Sequence, residues 1–304
     1  MLRRTILAAS RSPRLRAAIS TMPVSRDVVA RFVAGETAED AVAATRELVG
    51  AGLTVSLDHL GEDTTEPGHA DAVTKAYLTL LARLDDAGLT GGAEVSVKLS
   101  AIGQALDRQM CLDNARHVCE AATAAGTTVT LDMEDHTTTD STLGILRELR
   151  ADFPGTGAVI QAYLRRSPGD VEDLVRDGAR VRLCKGAYKE PESVAYQSRH
   201  EVDLAYVRLL VRLMDAGAYP MVATHDPRLV AIAAKLAERR EPGTFEFQML
   251  YGIRPDEQRR LAADGHRVRI YTPYGQEWYG YLMRRLAERP ANLAFFLRAL
   301  ATRS

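Results

Sequence analysis

The sequence predicts an α/β fold arranged as a single (βα)8 barrel of the TIM type, preceded by a helical N-terminal segment. Three observations carry this. Short strand-like runs alternate with helical periodicities from residue 53 onward. Several of the runs are continuously apolar, such as AVIQAYL, as parallel strands buried on both faces require. The helical stretches close on glycines, and 304 residues suit one barrel of this kind.

Taken in order, the predicted strands are Leu53–Leu57, Glu94–Leu99, Thr128–Met133, Ala158–Tyr163, Arg180–Cys184, Tyr219–Thr224, Thr244–Met249 and Arg267–Tyr271. Between the first two, Val73, Tyr77, Leu80, Leu81 and Leu84 recur at helical spacing, and Val207, Leu210, Val211 and Met214 do so between the fifth and sixth. Gly88, Gly126, Gly178, Gly217 and Gly265 mark the turns after helices. No linker or low-complexity tract interrupts the alternation. The expected organisation is a basic helical segment over 1–45 and a barrel over 46–304.

Composition narrows the function. Hydrophobic residues make up 46% and charged residues 26%, as in a folded globular chain. Lys plus Arg is 39 against 40 Asp plus Glu, which argues against a nucleic-acid partner. No apolar run reaches the ~20 residues needed to span a bilayer. Cys111, Cys119 and Cys184 are too few and too scattered for a disulfide framework or a structural zinc site, and a reducing cytoplasmic setting is expected. Residues 1–26 carry six Arg and no acid. Their apolar stretch, Ile6 to Ala9, is too short for a secretory signal, so export is rejected. An organellar transit peptide is the minor reading. A basic helix that docks on the domain is preferred, with peripheral contact to anionic lipid as the alternative. There is no GxGxxG and no P-loop, so neither a Rossmann site nor a Walker loop is indicated.

Barrel chemistry sits at the C-terminal ends of the strands. Those ends read Lys98; Asp132 with Met133, Glu134, Asp135 and His136; Gln161; Arg182 with Lys185, Gly186, Ala187 and Tyr188; Thr224, His225 and Asp226; Glu246, Gln248 and Leu250; and Tyr271. Each has a structural explanation: a Lys98–Asp132 ion pair, an Arg182 bridge between strands, a satisfied core His225, a solvated loop at Glu134 and Asp135. Their convergence on one mouth favours a ligand site, because buried charge is costly unless paired. After the last strand, a helix from about Gln276 to Glu288 shows two stripes. One is Tyr279, Leu282, Met283 and Leu286; the other is Tyr281, Arg284, Arg285 and Glu288. The second stripe reads either as a surface ion pair or as a clamp for an α-amino acid, guanidinium groups to the carboxylate and Glu288 to the ammonium.

The motifs SVKLSAIG, TLDMED, QAYL, RLCKGAYKE, THD, FEFQML and the RRxxE helix, spread over about residues 94–292, resemble the proline dehydrogenase family. The resemblance implies a distorted barrel whose last helix lies over the mouth. It implies non-covalent FAD, oxidation of L-proline to Δ1-pyrroline-5-carboxylate by hydride transfer to flavin N5, and electrons passed to a membrane quinone. Arg284, Arg285 and Lys98 would hold the substrate carboxylate, and Glu288 would face the amine. Asp132 would orient Lys98 and the neighbouring Arg side chains, and Tyr271 and Leu250 would wall the proline ring. Arg182 would sit by flavin N5. Met133, Gln161, Lys185, Gly186, Ala187, Tyr188, Thr224 and His225 match FAD-contacting segments. A separate pyrroline-5-carboxylate dehydrogenase would take the next step. Cys184 stands where the family pattern suggests a branched apolar residue. The competing readings are a Schiff-base aldolase using Lys98 or Lys185, a metal-dependent hydrolase using Asp132, His136 and His225, and a barrel that only binds a ligand.

Overall fold

The computed structural model describes residues 29–61 and 63–288, with side chains through Met283. Eight parallel strands close into a barrel in sequence order. They are β1 (Thr54–His59), β2 (Ala93–Val97), β3 (Val129–Leu131), β4 (Gly157–Gln161), β5 (Arg180–Cys184), β6 (Tyr219–Ala223), β7 (Glu246–Leu250) and β8 (Val268–Tyr274). The helices among the described residues are α1 (Ala38–Gly50), α2 (Pro67–Asp86), α3 (Arg108–Ala124), α4 (Thr139–Asp152), α5 (Ser167–Arg176), α6 (Arg199–Met214), α7 (Pro227–Ala237), α8 (Pro255–Ala263) and α9 (Trp278–Glu288). None of them is long and apolar enough to cross a membrane. The predicted α/β barrel is therefore observed.

Alternation along the strands sorts the two faces of the sheet. Val55, Leu57, Val95, Val97, Val129, Leu131, Val181 and Leu183 belong to the large apolar core shared with the helices. Ser56, Asp58, Ser96, Lys98, Asp132, Arg182, Glu246, Gln248, Arg269 and Tyr271 form a bonded network across the lumen. Most barrels of this type fill that space with branched apolar side chains. Here the lumen is polar, so its contents need mutual partners to be tolerated.

The strand limits differ from the predicted ones where local bonding intervenes. Arg180–Cys184 is found as expected. Strand β7 starts at Glu246 rather than Thr244, because Thr244 belongs to a turn clamped by Arg240, whose guanidinium donates to the Met214, Ala218 and Thr244 carbonyls. Strand β8 continues past Tyr271 to Tyr274 because its far end still pairs with β1, His59 opposite Tyr274. The buried side of α6 is Tyr206, Leu209, Leu210, Leu213 and Met214, with Val207 and Val211 only partly covered.

Helix α9 begins at Trp278, two residues after the expected Gln276. Trp278, Tyr279, Tyr281, Leu282 and Met283 are all buried, together with Phe32, Val33, Leu60 and Ile253. Tyr281 thus packs in this core. The Trp278 Nε1–H donates to Glu36 Oε1 at 3.0 Å. Residues 29–36 thus help seat the helix that follows β8. The expected basic segment before residue 29 lies outside the described residues, as do the side chains of Arg284, Arg285 and Glu288.

Candidate active site

The C-terminal ends of β1, β2, β3, β5 and β8 bring alternating charges together. Lys98 Nζ, just after β2, donates to Asp58 Oδ2 at 2.5 Å and to the Tyr271 hydroxyl at 3.3 Å, and lies 3.7 Å from Asp132 Oδ2. Asp132 Oδ1 accepts from Arg182 Nη1 at 2.6 Å and from Ser96 Oγ at 2.8 Å. Its Oδ2 accepts from the Tyr271 hydroxyl at 2.6 Å. Arg182 also donates to Gln248 Oε1 at 2.5 Å and to Ser56 Oγ at 3.0 Å, and its guanidinium lies 5.2 Å from the Tyr271 ring centroid. Lys98, Asp132, Arg182 and Tyr271, singled out in the sequence, are thus one network.

Burial sets the electrostatics of this network. Burial raises the Asp58 carboxyl to about 6, opposed by Lys98 and reinforced by the Asp132 charge. The Tyr271 hydroxyl is driven well above its ordinary value, first by burial and then by the carboxylates of Asp132 and Asp58. His59, beside Asp58, falls to about 4 because burial and the Lys98 charge disfavour its cation.

The opposite arc of the mouth, β4 to β6, holds the other expected set. Gln161 is buried and donates to the Glu134 carbonyl at 2.7 Å. Lys185 pairs with Asp203 at 2.5 Å and Asp226 at 3.0 Å. Gly186 has φ +113°, and a Cβ there would lie 2.4 Å from the Tyr163 ring. Ala187 follows it in the loop, and Tyr188 is exposed. Thr224 Oγ1 accepts from the Asp226 N–H at 3.1 Å, and His225 Nε2 accepts from the Leu250 N–H at 2.9 Å. Met133 is buried, and Leu250 packs on the α9 cluster.

Glu134 does not fit the alternative of a solvated loop residue. It is buried and accepts from Ser100 N–H at 3.2 Å and Ser100 Oγ at 2.6 Å. Asp135 does cap a turn, accepting from Thr137. His136 is held by Glu190 through both its backbone and its ring. Sequence reasoning missed Asp58, Ser56, Ser96 and Asp203. Asp58 had a signal: it follows the predicted end of strand one by a single residue. Asp203 had none, because it reaches the mouth from α6.

Comparison with known proteins identifies the family. A family model described as proline dehydrogenase matches residues 41–298. Proline dehydrogenase 1 of Bacillus subtilis (strain 168) is 40% identical over 272 residues, covering 89% of each chain. Proline dehydrogenase of Deinococcus radiodurans is 42% identical over 277 residues, again 89% of each. Among solved structures, proline utilization A from Bdellovibrio bacteriovorus inactivated by N-propargylglycine superposes with TM-score 0.81 at 27% identity, covering 87% of this chain. This chain spans 33% of that one. With a barrel mouth of paired charges, a family model over most of its length and relatives matched nearly end to end, the chain belongs to the proline dehydrogenase family and is an enzyme of proline oxidation.

Proposed function

We propose that the protein oxidises L-proline to Δ1-pyrroline-5-carboxylate using non-covalently bound FAD, and that the electrons leave to a membrane quinone. The observation that carries this is the division of the mouth. Lys98, Asp58, Asp132 and Tyr271 lie on the arc of β8 and β1 to β3, and β8 leads into the helix that bears Arg284, Arg285 and Glu288. Gln161, Lys185, Gly186, Thr224 and His225 lie on the arc from β4 to β6. Arg182 starts on the second arc and reaches the first.

The residues present fit a flavin nucleotide. Gln161 and Lys185 offer donors on one arc, and the KGAY turn comes close to Tyr163 only because position 186 lacks a side chain. When bound, FAD supplies the hydride acceptor at N5 and the protein supplies orientation and electrostatics. Lys98 and the two arginines of α9 bind the carboxylate, and Tyr271 and Leu250 wall the ring. Asp132 fixes Arg182 and Tyr271. The substrate nitrogen must lose its proton for its lone pair to form the C=N bond as the C5 hydride departs.

The paired lysines disfavour the aldolase reading. Lys98 and Lys185 each sit against a carboxylate at 2.5 Å, so each Nζ is engaged by a partner rather than open to a carbonyl substrate. The hydrolase reading lacks its ligand set: no group of three His, Cys, Asp or Glu converges for a metal among the described residues. We further propose that residues 1–45 form a basic segment that docks on the barrel and permits peripheral membrane contact, and that a separate dehydrogenase consumes the product.

The test is anaerobic addition of L-proline to purified protein. A yellow protein that releases flavin on denaturation and is bleached by proline, with NAD inactive as acceptor, is the expected result. A colourless protein that FAD cannot reconstitute overturns the proposal.

A further inference from the structure

We propose that Asp58 is a positioning residue for the reaction, tethering the Lys98 ammonium on the β1 side of the mouth and keeping it off Asp132. This deepens the proline-oxidising reading and rests on it. Among the described residues, Lys98 Nζ has two carboxylates within reach, Asp58 at 2.5 Å and Asp132 at 3.7 Å. The shorter contact is to Asp58. Asp132 is already engaged: Arg182 and Ser96 bond one of its oxygens and Tyr271 the other. A lysine that moved onto Asp132 would compete with the Tyr271 hydroxyl and bring a second cation towards Arg182.

Asp58 is built for this task and for little else. Its side chain is 1% exposed, and its strand is paired on both sides, with Ser96 on β2 and Pro273 on β8. The carboxylate is therefore held within the mouth. Its Oδ1 is buried without a hydrogen-bond partner among the described residues. An unmatched buried oxygen destabilises the fold, and the strand pairing here uses only backbone groups. Its one ion pair among the described residues is the short bond to Lys98, with the Tyr271 hydroxyl also acting on the carboxylate. With the ammonium fixed on folding, a substrate carboxylate need not order a long, rotamer-rich side chain as it binds.

A double-mutant cycle on the flavin-loaded protein tests the tether, using Asp58→Asn, Lys98→Met and the pair. Turnover of L-proline is measured in all four proteins, together with binding of cyclopentanecarboxylate, an inert carboxylate, read from the flavin spectrum. The second readout closes the cycle where turnover is too slow to measure. We expect Asp58→Asn to lower kcat/KM at least ~10-fold when Lys98 is present and less than ~3-fold in the Lys98→Met background, the non-additivity of groups that act through each other. The flavin content should be unchanged. Asp58→Ala repeats the cycle, so that a folding defect of one replacement does not decide it. Equal effects in both backgrounds, or a small effect beside an intact Lys98, overturn the tether. A wild-type protein that does not oxidise proline removes the reading of the mouth itself, whereas an active wild type with additive effects removes the tether alone.

Discussion

Tyr271 shows how one side chain can carry two roles. Its hydroxyl donates to Asp132 at 2.6 Å and accepts from Lys98 at 3.3 Å, while its ring lies near the Arg182 guanidinium. A hydrogen bond to a charged group contributes ~1.5 to 3 kcal/mol, or about 10- to 150-fold in rate. Tyr271→Phe should therefore lower kcat/KM for L-proline by about that factor. It keeps the ring, so the preference for L-proline over trans-4-hydroxy-L-proline, expected at ~10-fold or more from one unpaired hydroxyl, should survive. Tyr271→Ser removes the wall and should narrow the preference. Efficiencies of both substrates in both variants decide the matter: an unchanged ratio in Tyr271→Ser would take the ring out of the specificity pocket. At this scale the sequence was informative within the strands and just after them, as at Lys98, Asp132, Arg182 and Tyr271. It was silent where a partner comes from a distant helix, as Asp203 does for Lys185. The polarity of the lumen was also legible in part, in the alternation of VSLD, EVSVK and TVTLD.

Among the elements, the loop after β5 and helix α9 depend most on long-range packing. The loop is pinned by the Leu164–Ala195 bridge and by Glu190, which holds His136 and accepts from the Tyr163 hydroxyl at 3.4 Å. Gly186 allows the turn by its left-handed φ and by leaving room for the Tyr163 ring. Gly186→Ala violates both conditions. We expect it to reduce the flavin retained through purification several-fold while the far-UV circular dichroism stays native; full flavin occupancy would show that the turn does not shape the cofactor site. The helix α9 was legible in position but not in its surroundings. Its apolar residues recur at helical spacing, yet nothing local announces that Phe32 and Val33 cover them or that Glu36 receives the Trp278 N–H. Residues 29–36 lack the periodicity that made the barrel helices readable.

Across the whole molecule, the lower lumen is closed by a second charged layer. Glu94 accepts from Arg180 at 2.6 Å and lies 3.6 to 3.7 Å from Arg182 and Arg269, while Arg269 donates to Glu246 at 2.7 Å. Burial pushes the Glu94 carboxyl up, but Arg269, Arg180 and Arg182 together outweigh it and hold the group down at about 2. A depressed carboxyl stabilises the fold above its unfolded value and loses that contribution as pH falls towards its folded one. Glu94→Gln should thus destabilise the protein by ~3 to 5 kcal/mol at pH 7, the range for breaking a buried pair. The gap between variant and wild type should shrink below about pH 4.5, the ordinary value, towards about 2. Denaturant midpoints at pH 7 and at pH 3 check this, and a gap independent of pH would contradict it.

Oxidation of proline at this barrel mouth is read by anaerobic titration of the flavin-loaded protein with L-proline, following flavin absorbance and pyrroline-5-carboxylate together. Absorbance should fall in step with added proline until one equivalent of pyrroline-5-carboxylate has formed per flavin. Flavin that stays oxidised in the presence of excess L-proline, with no pyrroline-5-carboxylate formed, would contradict it.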